Sequence, residues 1–128
     1  MHIGMRSAII VTPGGSNMEL FDLYDDERRL TGETIERGDP LPESRYHLVI
    51  HICIFNSEGK MLIQQRQPFK KSFPGKWDVS VGGSAVAGEN SRQAASRELY
   101  EELGISHDFS HDRPILTVHF ERGFDDVY

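Results

Sequence analysis

Polar and apolar residues alternate from Glu19 to Tyr24, which predicts a strand. Thr31 to Arg37 predicts its partner, with Asp25-Asp26-Glu27 leading into the turn. Pro40 and Pro42 then bound a loop. Tyr46 to Phe55 is mostly apolar and rich in β-branched residues, as a central strand covered on both faces should be. Asn56-Ser57-Glu58-Gly59 has turn composition, so Lys60 to Arg66 is expected to return as the second strand of a hairpin. Residues 67–76 read as a loop carrying Pro68, Pro74, Phe69, Phe73 and three lysines, and Trp77 to Val81 predicts a short strand ending at Gly82-Gly83. The apolar spacing then becomes helical: Ala95, Leu99 and Leu103 share one face. Asn90 with Gln93 three residues on forms a capping box, and Gly104 stands where a glycine ends a helix. Pro114 to Arg122 predicts a final strand, and Asp125-Asp126-Val127-Tyr128 is left without an element. Strands mixed with a helix, and no internal repeat, predict a mixed-sheet α/β domain.

Composition sharpens this picture. At 128 residues, 38% hydrophobic and 27% charged, the chain suits one globular domain with a modest core. Residues 1–17 end in Thr12-Pro13-Gly14-Gly15-Ser16-Asn17, a linker composition, so they read as an N-terminal extension before a domain over 18–128. Ala8-Ile9-Ile10-Val11 within them reads equally well as an edge strand. A net charge of −6 argues against a nucleic-acid partner held through its phosphates. The longest apolar stretch, Leu48 to Phe55, is interrupted by His51 and is too short to span a bilayer. One cysteine, Cys53, cannot form an internal disulfide, and no basic-then-apolar leader opens the chain. A cytoplasmic location is the expectation.

The candidate chemistry lies in the helix. Glu98, Glu101 and Glu102 are spaced i, i+3 and i+4, which puts three carboxylates on one helical face. They repel one another, and a hard cation with oxygen ligands, Mg²⁺ or Mn²⁺, removes that cost. Arg97 precedes Glu101 by four residues and is positioned to pair with it. Glu89, just before the helix, turns back toward the same place or favours the positive end of the helix dipole. Gly82-Gly83 lets backbone pass close to a ligand or metal, so that a carbonyl there serves as one more oxygen ligand. Glutamate-rich helices are ordinarily solvated faces, and the register of the surrounding residues decides against that reading.

Gly83, Glu89, Arg97, Glu98, Leu99, Glu101, Glu102, Gly104 and Ile105 fill nine positions of one pattern. At average residue frequencies that coincidence arises about once in 10⁹ start positions. The segment resembles the Nudix box, and the resemblance implies an α/β/α fold: a mixed sheet sandwiched by helices. It implies a divalent-metal-dependent hydrolase that cleaves a diphosphate linkage in a nucleoside diphosphate derivative by in-line attack of water. By the same resemblance Glu98, Glu101, Glu102 and the Gly83 carbonyl hold the metal. Arg97 and Glu89 support the cluster, and Glu98 is a ligand or the general base.

A second resemblance runs over residues 19–127. Tyr46-His47-Leu48, Ile54-Phe55-Asn56, Gln65-Arg66, Lys70-Lys71 and Phe73-Pro74-Gly75-Lys76-Trp77 look like the subgroup related to type I isopentenyl-diphosphate isomerase. Gly82 stands where those isomerases carry the catalytic cysteine, and Ser84 where they carry a metal-binding histidine. His47 matches a further ligand position. One retained histidine builds no such site, so hydrolysis is the expectation, with isomerisation or a catalytically silent nucleotide-binding module as alternatives. Arg66, Lys70, Lys71 and Lys76 precede the box where related enzymes place cations near a diphosphate. Trp77 and Phe73 are candidates for stacking on a base, though a tryptophan opening a strand belongs more often to the core. His51, on an apolar strand, reads as a hydrogen-bonded core histidine. Nudix domains also continue past the equivalent of 114–121 with further strands and a C-terminal helix. Their apparent absence here implies an uncovered sheet face and a homodimer.

Overall fold

The computed structural model describes residues 19–70 and 72–128. The extension and its possible edge strand lie outside the described residues, as does Lys71. The described residues open with a hairpin, β1 (Leu20–Tyr24) against β2 (Leu30–Glu36), antiparallel with a bulge between Asp22 and Tyr24. Its turn is built by Asp25, whose Oδ1 accepts the N–H groups of Glu27 and Arg29. β3 (His47–Ile52) begins just after a bridge between Tyr24 and Tyr46, which hangs the hairpin on the main sheet. Here burial strictly alternates. Leu48, Ile50 and Ile52 are buried, while His47, Val49 and His51 are half-buried.

The expected return strand over 60–66 is mostly irregular. Phe55 and Met61 form an isolated bridge, and β4 is only Gln64–Gln65, pairing with β5 (Trp77–Asp78). Polar groups explain the break. Ser80 Oγ accepts from the Ile54 N–H and donates to the Leu62 carbonyl, replacing ladder bonds with side-chain bonds. β6 (Val81–Ser84) runs antiparallel to β3 and places Gly83 opposite Ile50 and Gly82 opposite His51.

The helix α1 (Ser91–Leu103) has the ends its sequence specifies. Asn90 accepts from the Gln93 N–H, Gln93 reciprocates onto the Asn90 N–H, and Gly104 turns left-handed at φ 68°. Ala94, Ala95 and Leu99 are buried against Leu48, Ile50, Val81 and Phe124 in one core cluster. Each such leucine, isoleucine or valine contributes about 2 kcal/mol by leaving water, and each alanine less than about 1 kcal/mol.

The end of the domain departs from expectation. β7 (Leu116–Phe120) turns at residues 121–122, and β8 (Gly123–Val127) follows, so the chain does have a closing strand. β8 lies inside the four-stranded sheet of order β6-β3-β8-β7, parallel to β3 and antiparallel to β7. Two adjacent aspartates in an interior strand defeat the usual apolar signal, and both are accommodated by distant partners: Asp125 by the His51 ring and Asp126 by the Arg28 guanidinium. The mixed α/β domain is as expected. Among the described residues α1 is the one helix, and it covers one face of the sheet. On the other face β7 leaves Leu116 and Val118 about half exposed. No described helix is long and apolar enough to cross a membrane.

Candidate active site

Arg97 organises the carboxylates. Its guanidinium clamps Glu89 through two bonds, Nε to Oε2 at 2.7 Å and Nη2 to Oε1 at 2.9 Å. Nη1 reaches Glu98 Oε1 at 2.9 Å and Glu101 Oε2 at 3.1 Å, and Nη2 also donates to the Ser84 carbonyl at 3.0 Å. This fork–fork geometry ties the loop before α1 to the helix itself. Glu89 in turn accepts the Val86 N–H, so it braces the loop. Surrounded by carboxylates, Arg97 holds its proton even more firmly than an ordinary arginine.

Glu98 and Glu102 meet over the glycine pair. A Cβ built on Gly83 would lie 2.3 Å from the Glu98 carboxyl carbon, so only glycine lets that carboxylate settle onto β6. Glu102 accepts from Gln64 Nε2 at 3.1 Å, and the nearby Gly82 N–H also helps hold its pKa down. Burial pushes the Glu102 carboxyl up to about 7, against the relief those donors give and with the adjacent Glu98 adding to the rise. Burial also raises Glu98, only partly offset by Arg97. Two desolvated carboxylates side by side are hard oxygen donors whose repulsion a divalent cation would relieve, so the chemistry of the pair fits such an ion. Glu101 is exposed and turned toward Arg97, and among the described residues no three His, Cys, Asp or Glu side chains are gathered closely enough to hold a metal. The structure therefore brings two of the three expected carboxylates together.

The backbone between them is equally defined. Ala85 donates to the Leu48 carbonyl, so antiparallel alternation makes Gly83 and Ile50 a hydrogen-bonded pair and turns the polar groups of Gly82 away from β3. That is why the Gly82 N–H is available to Glu102. Behind Gly82, on the opposite face, sits the His51 ring. Asp125 holds its Nδ1 at 2.8–2.9 Å, and Asp78 Oδ1 lies 3.9 Å from its Nε2. The bond to Asp125 holds the imidazole above its ordinary pKa despite burial. His51 is hydrogen-bonded as expected, but beside the site rather than in the core. His47, by contrast, packs between Phe21 and Phe120, where burial depresses its pKa.

The expected cations are less uniform. Arg66 donates from Nε to the Ser72 carbonyl and anchors its own loop. Lys70 is half-buried. Desolvation and the nearby charges of Arg66 and Arg37 lower its pKa, while Glu102 is close enough to raise it. Lys76 is exposed, and its backbone closes the loop by accepting from the Arg66 N–H. Trp77 is 54% exposed, correcting the core expectation, because the two-residue β5 leaves it outside the packed layers. Phe73 is more exposed still and adopts a left-handed φ of 49°. Gln64, His51, Asp78 and Asp125 are the residues that sequence reasoning did not place at the site. A glutamine inside a predicted strand was the one local signal, and Asp125 offered none.

Comparison with known proteins agrees with this geometry. The model of the NUDIX domain family matches residues 45–128. An uncharacterised Nudix hydrolase of Listeria monocytogenes is 52% identical over 111 residues, covering 87% of this chain and 66% of that protein. A Nudix hydrolase of Deinococcus radiodurans is 35% identical over 104 residues, covering 81% of this chain and 60% of its own length. The chain thus spans about two thirds or less of these relatives. The crystal structure of DR0079 from Deinococcus radiodurans superposes with a TM-score of 0.72 at 32% identity, over 85% of this chain and 69% of that one.

Proposed function

The chain belongs to the NUDIX domain family, and on that footing we propose that it is a Mg²⁺- or Mn²⁺-dependent hydrolase of a diphosphate linkage in a nucleoside diphosphate derivative. The observation that carries the reading is the desolvated Glu98–Glu102 pair seated on Gly82-Gly83 and braced by Arg97. Glu98 and Glu102, joined by Glu101 once it leaves Arg97 and by a backbone oxygen of the Gly82-Gly83 pair, would hold the ion. Such an ion supplies charge neutralisation on the phosphate oxygens and a more acidic water. Arg97 orients Glu98 and Glu101 through one nitrogen and holds Glu89 with the other two. Gln64 and the Gly82 N–H aim Glu102. Without the ion the Glu102 carboxyl sits at about 7, so taking up a divalent cation would release a proton from it near neutral pH. Arg66, Lys70, Lys71 and Lys76 supply cations for the substrate phosphates, and Lys70 is near enough to Glu102 for that carboxylate to raise its pKa.

The test is incubation with Mg²⁺ or Mn²⁺ and a panel of nucleoside diphosphate sugars, dinucleoside polyphosphates, nucleoside triphosphates and isopentenyl diphosphate. We expect release of phosphate or nucleotide and at least a ~10²-fold loss of kcat in Glu102→Gln. Double-bond migration without hydrolysis, or metal-dependent binding without turnover, would sink the reading.

The exposed apolar residues of β7 further support a homodimer closed over the uncovered face of the sheet. A monomeric mass by light scattering at micromolar concentration would exclude it.

A further inference from the structure

Gly82 is gripped from two sides. Its N–H is turned away from β3 and helps hold the Glu102 pKa down, while on its other side a Cβ would stand 2.7 Å from His51 Cδ2 and 2.9 Å from Nε2. The ring is itself immobilised. Both Asp125 oxygens lie within 2.9 Å of Nδ1, and Asp125 belongs to β8, which pairs on both edges inside the sheet. His51 and Asp125 are 74 residues apart in the chain. A chain of rigid contacts therefore runs from β8 through His51 and the Gly82 backbone to Glu102, crossing the sheet from its uncovered face to the carboxylate site.

We propose that His51 and Asp125 are positioning residues: they act through Gly82 to set the direction of Glu102. Neither touches the reacting atoms in this role. The physical reason is stiffness. An edge strand of Val-Gly-Gly-Ser has little side-chain packing of its own, so the ring behind Gly82 is what keeps its N–H aimed at the carboxylate. Residues that orient a ligating or reacting group from behind are ordinarily worth about 10- to 100-fold in activity. The inference rests on the reading of Glu102 as an active-site carboxylate.

The experiment joins kinetics on the full chain to an observation that needs neither metal nor substrate. In metal-free protein, hydrogen exchange of the Gly82 amide is expected to speed up about tenfold in His51→Ala and in Asp125→Ala. With metal, both variants should lose about tenfold or more in kcat with KM nearly unchanged. His51→Asn, which can still donate to Asp125, should recover part of that loss. Gly82→Ala should be as damaging, because its methyl displaces the ring. The double variant Gly82→Ala/His51→Ala should be no worse than His51→Ala alone. Wild-type exchange and kcat in the His51 and Asp125 variants, or additive losses in the double variant, overturn the proposal. Should Glu102→Gln abolish turnover while the His51 variants keep it, this inference falls and the hydrolase reading stands. Should the wild type hydrolyse nothing, that reading falls, and the Gly82 exchange rates still decide whether the coupling exists.

Discussion

Buried Asp126 and half-buried Glu102 are both drawn out of water, yet they are driven in opposite directions. Asp126 of β8 is 1% exposed, and burial alone would raise its pKa. Arg28 answers with two bonds, and Ser91 and Thr117 add hydroxyl donors, so the net shift is downward. Glu102 meets the same desolvation with one amide side chain, one backbone N–H and a neighbouring glutamate that makes matters worse, so it is pushed up to about 7. The first carboxylate is satisfied and holds the β1–β2 turn to the sheet. The second is under-compensated, as a group waiting for a cation or a proton should be. Burial by itself does not mark a functional acid; the shortage of partners around it does.

This contrast can be broken at either end. The larger expected effect is on Asp126. Arg28→Ala leaves a buried carboxylate without its cation and should cost about 2–3 kcal/mol of stability, below the roughly 3–5 kcal/mol of a fully buried pair because Arg28 is itself 34% exposed. Urea denaturation reads it, and an unchanged midpoint would refute the assignment of Asp126 as a structural anchor. The smaller effect is a pH dependence of opposite sign at the two sites. Glu102 is raised, so the metal-free fold binds a proton that the unfolded chain has released. Its contribution is fully present below the ordinary 4.5 and is lost as pH climbs through about 7. Asp126 is lowered, so its contribution is present above 3.8 and is lost only as pH falls below that value. Glu102→Gln should therefore flatten the stability profile between 4.5 and about 7 and leave the acid limb intact. A profile unchanged by that substitution would mean that the proton is not held at Glu102.

Legibility from sequence followed the distance over which each feature is built. The box helix was legible because everything that specifies it is local: a capping box three residues wide, a left-handed glycine, and an Arg97–Glu101 pair four residues apart. Gly83 was legible as a close-approach position, and the structure supplies the reason in the Glu98 carboxylate lying on it. The strand from 60 to 66 failed because Ser80 and Gln64 divert its backbone partners, an effect visible only once 62, 64 and 80 are adjacent. Trp77 failed because a prior for core tryptophans assumes a full strand, and here the strand is two residues long.

The sequence by itself determined the family resemblance, the helix with its ends, the carboxylate spacing and the need for glycine at the sheet edge. Periodicity, capping and local spacing act within a few residues of one another. Only the tertiary structure decided which carboxylates converge, which is left to Arg97, and that β8 enters the middle of the sheet carrying two aspartates. It also decided that His51, an ordinary strand histidine when read along the chain, stands behind Gly82 in the grip of Asp125. Those outcomes depend on burial and on partners as many as 98 residues away, the separation of Arg28 from Asp126. Desolvation and pairing are properties of the packed chain, and no local pattern carries them.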